Sequence, residues 1–533
     1  MWGDGKLRTK RQELYRAWRW GLTAPRLLAG WTGLIAGLGL LRWAGQLAGW
    51  SLGWLLVIGA ELGLAVWQLR QLARVYGAQL ALKTGWRRWG TGLGLGVSLG
   101  LLSLPWGLWG LGSRLLVRLR LPAAWVNWVG LHRHGLAGIV VVAYLVLLAY
   151  SLIWGPRHWR VTRQGGTPRQ MLGSLLVLAG GMALWFLGSC LLVVLNRQLA
   201  TTLTGTVITW LTAGSLGLIL GGYTLVSLLG TLTVVWSWCG QPALPVAPRW
   251  PRTSGWGLVL VLVWLVVSGG VITQTLQQPR LQATVLISHR GVDRGVGVQN
   301  TLGALRHVSR QHPRYVEMDL HETRDHQWVV LHDENLRELA GVNVTPHQWT
   351  LRQLTRLTLH EHGQRARLVG WDQYLRTAER LPQPLLVELK TTPADSAGMV
   401  RRFAQRYGTR LHRDHSAVHS LDYRVVAGLR RDSPQLRVGY ITPFNFVAPA
   451  SVPADFYSFQ RLSVSDQFIQ AAHRAHAPAY LWTPNTRLAM TQAWALGADG
   501  QITNQVSRLR HVVTQRPSAA MWAVLWNFTL SYI

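Results

Sequence analysis

Acidic side chains are scarce in this chain. Only 22 Asp and Glu stand against 54 Lys and Arg in 533 residues, and 14% of all residues are charged. Soluble domains carry roughly 25% charged residues, so the shortage argues against a purely soluble protein. Cysteine is equally sparse, and two residues cannot build a disulfide scaffold. Apolar residues are plentiful at 49%, with 56 Gly and 30 Trp, which excludes a disordered or collagen-like chain. The net charge of +32 would by itself point to nucleic acid. The cations are spread along helical stretches and short loops rather than gathered in an aromatic-lined basic groove, so no nucleic-acid partner is expected.

The few acids are also segregated. Asp4, Glu13 and Glu61 are the only ones before Asp293, so residues 62–292 hold no carboxylate. Seven windows are apolar over about the 20 residues needed to cross a bilayer core: 27–41, 47–69, 91–112, 135–155, 171–195, 206–238 and 255–276. The first is short and the sixth long enough to break in two, which gives a range of six to eight spans. Residues 1–280 therefore read as an all-α polytopic domain of a multi-pass cell-membrane protein, with the lipid bilayer as its partner. Lys6, Arg8, Lys10, Arg11, Arg16, Arg19 and Arg26 hold the N-terminus in the cytoplasm by the positive-inside rule, and an odd number of spans leaves the second half extracellular. The loop with Arg114, Arg118, Arg120 and Arg133 then also lies outside, against that rule. Transporters bury acids or ion pairs in their spans; here only Glu61 qualifies, and pairing with an Arg accounts for it, so the domain reads as an anchor. Cys190 and Cys239 fall in apolar runs as small hydrophobes.

From residue 281 the pattern changes to short apolar strands alternating with amphipathic helical stretches. Candidate strands are 284–288, 315–320, 385–390, 417–421, 437–441, 455–459, 479–483 and 500–503. Eight such units over 281–515 fit an α/β fold, a (β/α)8 TIM barrel. An open doubly wound sheet is the alternative, but no Gly-rich phosphate loop follows the first strand. Residues 516–533 form an apolar tail, too short for a confident span, that docks on the barrel or lies at the lipid interface.

In a barrel, chemistry gathers at the C-terminal ends of the strands. The first strand ends in Ser288-His289-Arg290-Gly291, which offers a proton carrier, a phosphate clamp and a residue that allows a sharp turn, although surface loops carry such pairs too. Asn300 and Thr301 open the next helix as N-cap residues. On the second strand Glu317 and Asp319 share one side, and on the third Glu388 and Lys390 do the same. Three converging carboxylates make an all-oxygen site for one hard divalent cation, Mg2+ or Ca2+. Lys390 is one of four Lys among fifty Arg, and the other three lie within the first 83 residues, which marks a place for a compact ammonium beside a phosphate. A hairpin over 323–331 ends in His332-Asp333, so His332 could face His289 across the metal as acid to its base. His321, His326, His360 and His362 have no comparable placement and read as surface residues.

Taken in order, these positions resemble the glycerophosphodiester phosphodiesterases. The resemblance rests on His289-Arg290-Gly291, Asn300-Thr301, Glu317-x-Asp319, Thr323-x-Asp325, Val329-Val330-x-His332-Asp333, Glu388-x-Lys390, Ser420, Trp482-Thr483-x-Asn485 and Gly497-Ala498-Asp499-Gly500-x-Ile502-Thr503. It spans nearly all of 281–510, and the spans before it resemble the membrane-bound bacterial branch in architecture. The chain departs from the family's usual Glu-Asn-Thr at Gln299 and from its usual Thr-Asp at Asn504, positions to which no metal or proton-transfer role is assigned. The resemblance implies that Glu317, Asp319 and Glu388 hold the metal, Arg290 and Lys390 neutralise the phosphate, and His289 and His332 act as general base and acid. Trp482 would line the substrate or the barrel. The implied reaction releases glycerol 3-phosphate and an alcohol from a glycerophosphodiester, through a cyclic phosphate, with no obligate protein partner. Rival readings are a phospholipase D- or C-like enzyme acting on lysolipid head groups, and a transporter or sensor with a non-catalytic barrel.

Overall fold

Acid-free apolar sequence folds here as long helices, because a helix satisfies its own backbone groups without water. A computed structural model of the chain describes residues 4–23, 25–43, 63–68, 71–72, 76, 121–153, 167–203, 205–239, 241, 255–277, 281–443, 445, 448–515 and 517–532. Its contacts divide the chain into two units, one of Met1–Arg114, Ala137–Gln278 and Phe528–Ile533, the other of Leu115–Leu136 and Pro279–Asn527. The segment Leu115–Leu136, which lies in the membrane half of the sequence, thus groups with the second half.

Among the described residues, three helices are long and apolar enough to cross a membrane: Arg169–Leu199, Gly205–Ser237 and Gly255–Gln277. The expected spans at 27–41 and 135–155 fall on the helices Pro25–Trp43 and Arg133–Ile153. The window 206–238 forms one unbroken 34-residue helix, Gly205–Trp238, rather than two. The window 91–112, most of 47–69 and Glu61 lie outside the described residues. Thr212, Thr224, Thr233 and Thr275 each donate a hydroxyl to the carbonyl four residues back, and Asn196 Nδ2 reaches Ser215 Oγ across two helices at 2.8 Å. These hydroxyls need no solvent, while Leu184, Leu187, Trp210 and Val266 are exposed as lipid-facing side chains would be. Cys239 is buried in a cluster with Leu72 and Trp236.

The second half builds eleven strands: β1 Val285–Ser288, β2 Tyr315–Glu322, β3 Trp328–Val330, β4 Thr358–Glu361, β5 Gln364–Arg367, β6 Leu385–Leu389, β7 Ala417–Ser420, β8 Arg437–Thr442, β9 Phe456–Gln460, β10 Ala479–Trp482 and β11 Gly500–Thr503. Eight of them pair in parallel in the order β1-β11-β10-β9-β8-β7-β6-β2, and β2 returns to β1, closing a (β/α)8 barrel. β3 runs antiparallel to the end of β2, as the hairpin over 323–331 requires. The separate β4–β5 hairpin was not expected. Its strands are polar, with no apolar alternation to reveal them. The local signal was the two-residue turn His362-Gly363, both at positive φ (49° and 73°), the geometry that tight hairpins favour.

The barrel interior is filled by Ile287, Tyr315, Leu386, Ala417, Phe456, Tyr480 and Ile502. Gly439 leaves room for the Phe456 ring, which a Cβ there would overlap. Beyond that layer, toward the C-terminal strand ends, the polar side chains Glu317, Asp319, Glu388 and Lys390 collect.

Candidate active site

β1 runs into a single helical turn, His289–Gly291, in which Arg290 and Gly291 are both left-handed (φ 53° and 71°). Only the second is glycine, so the Arg290 backbone sits in a costly region. The turn aims the Arg290 N–H at Glu317 Oε2, 2.9 Å away. The Arg290 guanidinium donates to Gln299 Oε1 at 2.7 Å and lies 3.7 Å from Asp319. Lys390 Nζ bridges Glu388 Oε1 at 2.9 Å and Asp319 Oδ1 at 3.2 Å. Asn300, which the sequence marks as a cap, instead sends its Nδ2 to Asp319 Oδ2 at 2.9 Å; Thr301 caps the helix Leu302–Ser309.

Both proposed catalytic histidines have a partner on Nδ1. His289 donates to Asn504 Oδ1 at 2.6 Å, and His332 faces its neighbour Asp333 Oδ1 at 2.7 Å. Asn504 is itself held, because its backbone N–H and the Thr503 hydroxyl both donate to Asn485 Oδ1, at 2.9 and 3.0 Å. The end of β11, given no part in proton transfer by the sequence reading, therefore sets the orientation of a candidate base.

Burial and charge shape the titration of these groups. Burial, then the adjacent Arg290 charge, lowers His289 to about 3, so its imidazole is neutral in ordinary buffers. Burial also lowers His332, opposed by Asp319 and by its bond to Asp333. Burial works against a charge on Asp319, yet Lys390, His332 and Arg290 outweigh it and hold that carboxyl well below its usual range. Glu317 and Glu388 are pushed up, first by burial and then by neighbouring carboxylates. Lys390 is held above its ordinary value because Glu388 and Asp319 overcome the cost of burying its ammonium.

Glu317 and Glu388 form with His419 a trio whose ligand atoms all lie within 4.8 Å of one another. His419 Nδ1 pairs with Ser458 Oγ at 2.9 Å, while its buried Nε2 has no hydrogen-bond partner. An orphaned imidazole nitrogen beside two carboxylates whose ionisation burial opposes fits a divalent cation. Asp319 adjoins this trio but is engaged by Lys390 and Asn300. His419 was missed by the sequence reading; the signal was a histidine inside the otherwise apolar run of β7. His321 corrects a second expectation. It is buried, not at the surface, and its Nε2 contacts the His332 carbonyl at 3.1 Å. His326 and His360 are exposed.

A cleft of about 360 Å³ opens beside His289, lined by Arg290, Arg294, Gln299, Glu361, His362 and Asn504. Glu361, at the tip of the β4–β5 hairpin, accepts from Gln299 Nε2 at 2.5 Å and from its backbone N–H at 2.7 Å, so hairpin, Gln299 and Arg290 form one chain of bonds. Trp482 packs against the inner core layer and its indole donates to the Ser458 carbonyl at 3.0 Å, which accounts for it as a barrel residue. A second cluster, Glu322 with His347 and Asp395, has its glutamate taken up by Ser396 and Arg402 and ties loops together.

A closed eight-stranded barrel with carboxylates, two cations and two histidines at its C-terminal mouth is the framework of a TIM-barrel phosphodiester hydrolase. Residues 289–508 match the glycerophosphoryl diester phosphodiesterase family, so the second half of the chain carries a domain of that type. The putative glycerophosphodiester phosphodiesterase YhdW of Bacillus subtilis is 24% identical over 238 residues, 41% of this chain and 93% of that protein. The human lysophospholipase D GDPD1 is 47% identical over 58 residues, 11% of this chain and 18% of its own length. Among solved structures, a putative glycerophosphoryl diester phosphodiesterase from Silicibacter pomeroyi aligns with a TM-score of 0.40 at 20% identity, over 45% of this chain and 97% of that one. An Oleispira antarctica phosphodiesterase in complex with sn-glycerol-3-phosphate aligns at 0.39 and 16%, over 44% and 98%.

Proposed function

We propose that the protein is a membrane-anchored hydrolase that cleaves glycerophosphodiesters to glycerol 3-phosphate and an alcohol. The observation that carries the reading is the pair of oppositely partnered histidines flanking a buried carboxylate and cation cluster. An amide oxygen accepting from Nδ1–H fixes the His289 tautomer and leaves Nε2 as the proton acceptor, while burial and Arg290 keep the ring neutral, which suits a general base. A carboxylate on Nδ1 of His332 favours its protonated form, which suits a general acid.

In the first step His289 Nε2 takes the proton of the glycerol hydroxyl next to the phosphoester, and that oxygen bonds to phosphorus. The bond to the head-group oxygen breaks as His332 delivers a proton to it, leaving a cyclic phosphate. In the second step His332 takes a proton from water, the water oxygen bonds to phosphorus, and His289 returns its proton to the departing glycerol oxygen. Arg290 and Lys390 offset charge on the non-bridging oxygens throughout. Glu317, Glu388 and His419, with Asp319 adjacent, would hold one divalent cation, which when bound supplies Lewis acidity to the phosphate and hydroxyl oxygens. The carboxylates favour Mg2+ or Ca2+, and the imidazole widens the choice to Mn2+.

The test is hydrolysis of a panel of glycerophosphodiesters by the purified full chain, with and without chelator. His289→Ala and His332→Ala are each expected to lower turnover by about 10² to 10⁴, in keeping with general acid–base contributions. Near wild-type turnover in both would overturn the assignment. Activity untouched by chelator would remove the metal.

A further inference from the structure

Between the apolar windows 91–112 and 135–155 lies the nine-residue helix Ala123–Leu131, which packs on the barrel although it belongs to the membrane half of the sequence. Its buried residues are Val126, Asn127 and Gly130, one stripe of the helix. Asn127 is its single polar anchor: Nδ2 donates to Asp422 Oδ1 at 3.0 Å, and Oδ1 accepts the Tyr423 N–H at 2.7 Å. Leu121 N–H reaches Ser451 Oγ at 3.2 Å, and Val126 joins the main core of the barrel unit. Asp422 lies just beyond β7 on the catalytic side and also accepts from Thr391, the residue after Lys390. The helix is therefore a rim element of the active-site mouth.

Among the described residues the opposite stripe is open apart from the His132 ring, stacked on Trp128 at 4.7 Å between centroids. Trp125 is 69% exposed, Trp128 54% and Leu131 38%. Leu462, on the rim loop after β9, is 75% exposed. Its neighbour Ser463 accepts from Asn445, which lines a small gap together with Val126 and Gly130. Two outward indoles on a nine-residue helix are an awkward surface for water but the preferred one for the head-group layer of a bilayer, where an amphipathic ring satisfies both sides. Two further observations select lipid over a protein partner. Arg114, Arg118 and Arg120 precede the helix in sequence and Arg133 follows it, as anionic head groups would demand. The chain also passes after a single residue into the apolar helix Arg133–Ile153, whose Ile139, Val140, Val142 and Val146 are all more than 60% exposed.

We propose that Trp125, Trp128 and Leu131, with Leu462 beside them, form a docking surface for the head-group layer of an anionic bilayer, so that the site takes glycerophosphodiester groups carried on lipids in that layer. The surface stands on its own, whereas the substrate class rests on the phosphodiesterase reading.

The experiment uses the full chain, reconstituted into vesicles of phosphatidylcholine with anionic phosphatidylglycerol, with Cys190→Ala and Cys239→Ala. A nitroxide on Leu131→Cys is expected at head-group depth by its oxygen and nickel-chelate accessibility, and a nitroxide on Arg310→Cys in water. Equal water exposure of the two labels would overturn the docking surface. In the unlabelled chain, Trp125→Ala with Trp128→Ala is expected to lower kcat/KM for lysophosphatidylcholine in vesicles about tenfold, which corresponds to about 1.4 kcal/mol. The same variant should leave soluble glycerophosphocholine within about twofold, the usual scale of a neutral surface change. Equal losses on both substrates, or none on either, would overturn the lipid-borne substrate. A wild-type chain that cleaves glycerophosphocholine but not lysophosphatidylcholine would also overturn the lipid-borne substrate; one that cleaves neither would overturn the phosphodiesterase reading instead, and the depth of the label alone would then decide the surface.

Discussion

Asn504 puts a neutral amide where a carboxylate would change the chemistry. Because His289 sits at about 3, it is the free base across the whole range from pH 5 to 8 and contributes no activity change there. Asn504→Asp would place an anion on Nδ1–H and raise the histidine by about one to three pH units. A raised value of about 4 to 6 means that the base form is lost as pH falls through it, so kcat/KM of the variant should drop between about pH 7 and 4, at a higher pH than any loss this group causes in the wild type. Superimposable pH profiles would show that Asn504 does not orient the base. His419 allows a second test of the same kind. If its orphaned Nε2 completes the cation site, His419→Ala should weaken activation by Mn2+ by about 10- to 100-fold, the scale of lost metal-site partners. Activation by Ca2+, which favours oxygen ligands, should move less; equal titration curves for the two ions would exclude the imidazole.

The residues that sequence could supply share a property: their meaning is local. His289-Arg290, Glu317-x-Asp319 and Glu388-x-Lys390 declare themselves by strand alternation within a few positions. The same alternation puts residue 321 on the face of 317 and 319, so the burial of His321 was legible and was overlooked. Asn504 and His419 are different, since their partners His289 and Ser458 are 215 and 39 residues away. Barrel closure creates those contacts, and no short window contains them.

At the scale of elements, the eight barrel strands were readable because each is a short apolar run between helical stretches. The β4–β5 hairpin was not, because only Leu359 and Ala366 of its strands pack on a core and the rest of it is polar. Glu361 at its tip holds Gln299 by two bonds, and Gln299 holds Arg290. Glu361→Ala should free the guanidinium to wander, and the loss of a charge-assisted bond of about 1.5–3 kcal/mol sets the scale. The expected outcome is a KM for glycerophosphocholine raised by roughly five- to twentyfold, about 1–2 kcal/mol of that amount. Turnover should fall by less, because proton transfer by His289 and His332 is untouched. A fall in kcat with KM unchanged would mean that the hairpin serves the chemical step rather than phosphate binding.

At the scale of the whole molecule, unit membership constrains topology more tightly than counting apolar windows did. Leu115–Leu136 and Pro279–Asn527 belong to one unit, so both must lie on one side of the membrane. The chain between them must then cross an even number of times. Among the described residues three helices of that stretch are long and apolar enough to cross, Arg169–Leu199, Gly205–Ser237 and Gly255–Gln277; the shorter apolar segment Gly138–Leu147 of the helix Arg133–Ile153 would have to supply a fourth crossing, and Gly205–Trp238 is unbroken. Splitting it would give five crossings and separate the two segments. The same argument gives the Arg-rich loop at 114–133 a reason to break the positive-inside rule, because packing on the barrel commits Asn127 and Val126 wherever the barrel goes. If Lys6 to Arg26 hold the N-terminus inside, as the positive-inside rule expects, that side is predicted to be the outside. In a chain with Cys190→Ala and Cys239→Ala, Pro122→Cys and Arg337→Cys, both at exposed positions and off the Trp125–Trp128–Leu131 stripe, should each react with an impermeant maleimide on intact cells. Protection of both would reverse the orientation while keeping the parity. Reaction of one alone would break the unit itself, and with it the placement of the helix Ala123–Leu131 at the mouth of the site.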